Sequence, residues 1–96
     1  MLVRIVQLEI TPEHRELFLT LYSSHQEKIR TNPGCISLQL LQEDLNPNHV
    51  ATLSHWATEA DLNHYRNSEF FRSLWSQVKP LFAFPAKAFS YHIWSK

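Results

Sequence analysis

Ninety-six residues with one cysteine, one glycine, and nine basic side chains balanced by nine acidic ones exclude two separate cores, an internal disulfide, a glycine-rich phosphate loop, and a summed positive field that would attract nucleic acid. A hydrophobic share of 44%, with 12% aromatic and 19% charged residues, is a globular balance, far from disordered composition. These bounds predict one small soluble domain over residues 1–96.

No apolar stretch approaches the ~18 residues that cross a bilayer. Arg4 and Gln7 interrupt the opening residues where a signal peptide would be continuously apolar. The expected location is therefore the cytoplasm, with no membrane partner and no nucleic-acid partner.

Leu2 to Ile10 is rich in β-branched residues and apolar on both alternating sets, with Leu2, Val6, Leu8 and Ile10 on one and Val3 and Ile5 on the other. That pattern predicts a strand covered on both faces. Thr11 is placed to cap a helix with Pro12 at its first position, where a missing N–H costs nothing. Leu17, Phe18, Leu21, Tyr22, His25 and Ile29 then recur at helical spacing, and Asn32-Pro33-Gly34 ends the helix. Ile36, Leu38 and Leu40 alternate with polar residues, as in a strand with one dry face. Asp44-Leu45-Asn46-Pro47-Asn48 is turn chemistry, and a third strand from about Val50 to Trp56 completes a hairpin.

Thr58-Glu59-Ala60-Asp61 reads as a capping box with Asp in place of Glu, opening a short helix through Leu62 and Tyr65. Ser68 and Glu69 start another, whose stripe is Phe70, Phe71, Leu74, Trp75 and Val78 before Pro80. Ala88 to Trp94 alternates again and predicts a last strand. The order βαββαβ, with right-handed crossovers, predicts an α+β ferredoxin-like fold with a four-stranded antiparallel sheet. Its helices cover one sheet face only. The apolar set containing Val3 and Ile5 is left to be buried against a second copy, so the expected state is a homodimer paired through the sheet.

Six histidines, His14, His25, His49, His55, His64 and His92, show no spacing that holds a metal. Cys35 reads as a small hydrophobe rather than a nucleophile. What stands out is a group of aromatic and proton-exchanging residues on converging elements. Tyr22 and His25 lie on the first helix, His55 and Trp56 at the end of the third strand, and His64, Tyr65, Phe71 and Trp75 on the helical segment after it. Such residues stack on a planar ligand or move protons near neutral pH. They also serve as ordinary core.

Pro33-Gly34-Cys35, Asn46-Pro47-Asn48, Ser54-His55-Trp56 and the run from Leu62 to Phe71 together resemble the antibiotic biosynthesis monooxygenase family over nearly the whole chain. The resemblance implies a dimeric α/β barrel with a pocket between helices and sheet in each subunit. It also implies oxidation of small aromatic or quinol substrates by O₂, without flavin, haem or metal. In that chemistry a protein base deprotonates the substrate, which serves as its own reductant.

The family's haem-degrading branch carries Trp where this chain has Tyr65, the ligating His where it has Trp75, and Asn at Val6 or a neighbour. All three positions differ, so the resemblance implies no cofactor. On this footing His55 or His64 is the expected base, the end of a strand favouring His55. Trp56, Phe71 and Trp75 wall the pocket beside His25, and Tyr65 or Tyr22 hydrogen-bonds the substrate oxygen. The alternative expectation is a non-catalytic dimeric module that binds a small ligand.

Overall fold

The computed structural model describes residues 1–95. Four strands, β1 (Leu2–Glu9), β2 (Cys35–Gln42), β3 (His49–Trp56) and β4 (Lys87–His92), form one antiparallel sheet in the order β2-β3-β1-β4. Helices α1 (Arg15–Arg30), α2 (Glu59–Arg66) and α3 (Glu69–Val78) pack on one face of it. This is the α+β ferredoxin-like arrangement expected from the order of elements.

Register follows the two-residue period of a strand. Leu2, Arg4, Val6 and Leu8 of β1 pair with Trp56, Ser54, Thr52 and Val50 of β3, and this set faces the helices. Arg4 and Val6 also pair with Ser90 and Ala88 of β4. Val3 and Ile5 lie on the opposite face beside His55 and Leu53 of β3 and Tyr91 and Phe89 of β4.

The core has two centres. Leu2, Ile29, Leu38, Trp56, Leu62 and Tyr65 form one, and Leu8, Ile10, Phe18, Val50, Val78 and Leu81 form the other. Tyr22 and Leu74 touch both. Each large apolar side chain so buried contributes about 1.5–3 kcal/mol relative to exposure.

Local chemistry sets the helix starts. Thr58 Oγ1 accepts the Asp61 N–H at 3.1 Å and donates to Asp61 Oδ2 at 2.9 Å, so Thr58 caps the helix as expected, while the Asp61 carboxylate engages the Thr58 hydroxyl in place of the backbone N–H that a full capping box uses. Ser68 Oγ accepts the Phe71 N–H at 3.1 Å. Thr11 behaves differently from expectation. Its hydroxyl donates to the Leu81 carbonyl at 2.8 Å instead of capping, a short 3₁₀ turn occupies Pro12–His14, and α1 begins at Arg15. Ile36 also departs, being 55% exposed, because a bulge between Cys35 and Ser37 takes it out of register. Leu17, placed on the helical stripe, is 50% exposed at its margin.

Candidate functional site

Between the helices and the inner sheet face lies a cavity of about 450 Å³, within the range that holds a small organic ligand. It exists because Thr52, Ser54, Ala86 and Ala88, all small, floor it where larger side chains would have closed the space. Tyr22, His25, Trp56, Tyr65, Phe71 and Trp75 all line it. The sequence patterns therefore brought the aromatic set to one place.

The aromatics form a continuous wall. Trp56 stacks on Tyr65 with centroids 5.2 Å apart, Tyr65 meets the edge of Phe71 at 5.1 Å, and Phe71 stacks on Trp75 at 5.7 Å. Trp56 is 1% exposed and donates its indole N–H to Ser54 Oγ at 3.0 Å, so its polar handle is satisfied within the protein. Burial raises the phenol pKa of Tyr65, with the nearby Cys35 adding to the shift. Both effects keep it a neutral donor.

The two expected catalytic histidines lie elsewhere. Successive side chains of a strand point to opposite faces, so a buried Trp56 places His55 on the outer face. There its Nδ1 meets Ser37 Oγ at 2.9 Å. His64 is exposed, because Leu62 and Tyr65 take the inward positions of α2 and leave it on the solvent side. Neither residue lines the cavity.

His25 does line it. Its Nδ1 lies 2.7 Å from the carbonyl oxygen of Leu21, one turn back on α1. A carbonyl only accepts, so Nδ1 is the donor in this bond, and in the neutral ring Nε2 carries the lone pair. Beside it, the Tyr22 hydroxyl is buried without a hydrogen-bond partner. Burial raises its pKa, with the charge of Arg30 opposing the shift. A buried hydroxyl with no partner costs about 1–3 kcal/mol.

Arg4, Arg66, Asn67 and Ser54 are lining residues that the sequence reading did not select. Arg4 carried a signal, since it interrupts the inward-facing set between Leu2 and Val6. Arg66 and Asn67, at the end of α2, carried none. Burial, followed by repulsion from Arg66, lowers the pKa of Arg4.

Cys35 is half-buried, with Sγ directed at the Ser37 carbonyl at 3.7 Å. Burial pushes its thiol pKa up, against smaller opposing effects of Arg30 and the Ser37 backbone. That is the environment of an unreactive thiol. Among the described residues no group of three or more His, Cys, Asp or Glu side chains is placed to hold a metal ion, and no helix is long and apolar enough to cross a membrane.

The family pattern described as antibiotic biosynthesis monooxygenase matches residues 1–74. A crystal structure of an antibiotic biosynthesis monooxygenase superposes with a TM-score of 0.90 at 26% identity, covering 97% of this chain and 98% of that one. A conserved protein from Methanosarcina mazei Go1 superposes with a TM-score of 0.89 at 24% identity, covering 95% of this chain and 91% of that one. An uncharacterized protein of Synechocystis sp. is 26% identical over 86 residues, which is 90% of this chain. The chain spans 58% of that relative's length.

Proposed function

This chain belongs to the antibiotic biosynthesis monooxygenase family, and on that premise we propose that it oxidises a small aromatic or quinol-type substrate with O₂, without a cofactor, in the cavity between helices and sheet. The observation that carries the reading is His25, which lines the aromatic-walled cavity and whose Nδ1 is engaged by the Leu21 carbonyl, so that Nε2 is the ring nitrogen left to accept a proton.

His25 Nε2 takes the substrate hydroxyl proton, and the electron-rich anion transfers an electron to O₂. Recombination forms a C–O bond. The resulting peroxide takes the proton back from His25, becoming a hydroperoxide. Loss of water then breaks the O–O bond and the C–H bond at that carbon and leaves a carbonyl. One oxygen atom ends on the substrate and the other leaves as water, with the substrate supplying all the electrons. The stacked wall excludes water and holds the ring. Tyr65, kept protonated by burial, donates its hydroxyl to the substrate oxygen. His55 and His64 take no part.

Oxygen consumption with a panel of hydroquinones and anthrones tests this. Turnover by the wild-type chain that is lost in His25→Ala supports the reading, and wild-type rates equal to those of His25→Ala end it. The second reading is a non-catalytic ligand-binding module, favoured by the absence of both expected catalytic histidines from the cavity. Its signature is saturable binding of the same compounds with no oxygen uptake.

Two copies pair through the outer sheet face. Support comes from Val3, Ile5 and Leu53 in the centre of that face and from Phe89 and Tyr91, 41% and 52% exposed, on β4. An apolar surface of that extent is costly in water.

A further inference from the structure

Arg4 stands on the inward face of β1 between Leu2 and Val6, and Arg66 reaches the same cavity from the end of α2. A guanidinium has five N–H donors and no acceptor. Arg4 spends one bond, to Ser90 Oγ at 2.9 Å. Among the described residues the only salt bridge joins His49 and Glu9, and no Asp or Glu lines the cavity. The two cations are close enough for their charges to repel.

Two like charges on one cavity without a counter-ion repel, and an anion placed between them replaces that repulsion with charge-assisted attraction to both. Tyr22 lines the same space. Trp56, Tyr65, Phe71 and Trp75 form one wall of it and can stack on a planar ring. We infer that the cavity takes an aromatic ligand bearing an anionic group, held between the guanidiniums of Arg4 and Arg66. This rests on the reading of the cavity as an aromatic-ligand site, not on turnover. In the proposed reaction the same pair favours the deprotonated substrate, because a neighbouring positive charge lowers the pKa of a phenol.

The test is calorimetric titration of the full chain with 1-naphthoate and with 1-naphthamide, which share a ring and differ in charge. The naphthoate is expected to bind about tenfold or more tightly than the amide, as two charge-assisted contacts require. In Arg4→Met/Arg66→Met the preference falls to within about twofold while amide binding is kept, since only the charge contacts are gone. Arg66→Met alone, at an exposed helix end, removes part of the preference and decides the matter should the double variant fail to fold. Equal binding of acid and amide by the wild-type chain overturns the inference and leaves the oxidation reading standing. A preference that survives in Arg66→Met and in the double variant also overturns it. If neither probe binds, the aromatic-ligand reading falls and this inference with it.

Discussion

His25 donates its Nδ1 proton to the carbonyl of Leu21 at 2.7 Å, one turn back on the same helix. In the neutral ring this bond leaves Nε2 as the nitrogen able to accept a proton. Removing a positioned general base costs about 10²–10⁴-fold in rate. His25→Gln is therefore expected to cut oxygen uptake by at least about a hundredfold with the folded circular-dichroism spectrum kept, whereas His55→Ala stays within about twofold of wild type. A His55→Ala rate as low as that of His25→Gln contradicts the placement of the base.

The Tyr22 hydroxyl has no partner in the protein. Tyr22→Phe removes a buried unsatisfied group, so the thermal midpoint is expected to hold or rise, by up to about 1–3 kcal/mol of unfolding free energy. Ligand affinity is expected to stay within about twofold, because the hydroxyl is closed off from the cavity and only the ring lines it. A marked loss of stability would mean that the hydroxyl is bonded within the protein.

Gly34 adopts φ = 85°, a left-handed conformation that side chains resist. A Cβ built there runs into the Asp61 side chain, and Asp61 is held by Thr58 at the start of α2. Strain of this kind costs about 1–3 kcal/mol. Gly34→Ala should lower the urea midpoint accordingly, and an unchanged midpoint would show that the turn can relax.

Tyr65, Tyr22 and Cys35 all have pKa values raised in the folded chain, in each case mainly by burial. The unfolded chain therefore loses these protons first as pH rises, and stability falls with pH. The contribution is complete below the unfolded values, 9.0 for the thiol and 10.0 for the phenols, and declines as pH climbs above them towards the folded values. Thermal midpoints measured from pH 8 to pH 11 should show this decline, and Tyr65→Phe should flatten it. A decline of equal slope in Tyr65→Phe would remove Tyr65 from the account.

Ile5 and Leu53 are register partners at the centre of the outer sheet face. If that face pairs two copies, light scattering gives twice the chain mass for the wild type, and Leu53→Glu shifts it to the monomer by burying an unpaired charge. A monomeric wild-type mass would overturn the dimer.

The order of elements was legible in the sequence because it rests on local periodicity. Alternation marks strands, three- and four-residue spacing marks helices, and both express which side chains must leave water. The same periodicities put Tyr22, His25, Trp56, Tyr65, Phe71 and Trp75 on the inward faces of their elements, and the packing of the helices on the sheet brought them to one cavity. Even the exclusion of His55 was implicit, because a neighbour of an inward Trp56 must point outward.

Only the tertiary structure decided which polar groups meet. Arg4 and Arg66 stand far apart in the chain, and their approach depends on where β1 lies in the sheet and where α2 ends over it. The choice of His25 depends on a bond within one turn of α1, together with a cavity floored by small residues of β3 and β4. Periodicity records a residue's direction relative to its own element. The chemistry of the cavity depends on distances between elements, which are set by register and packing.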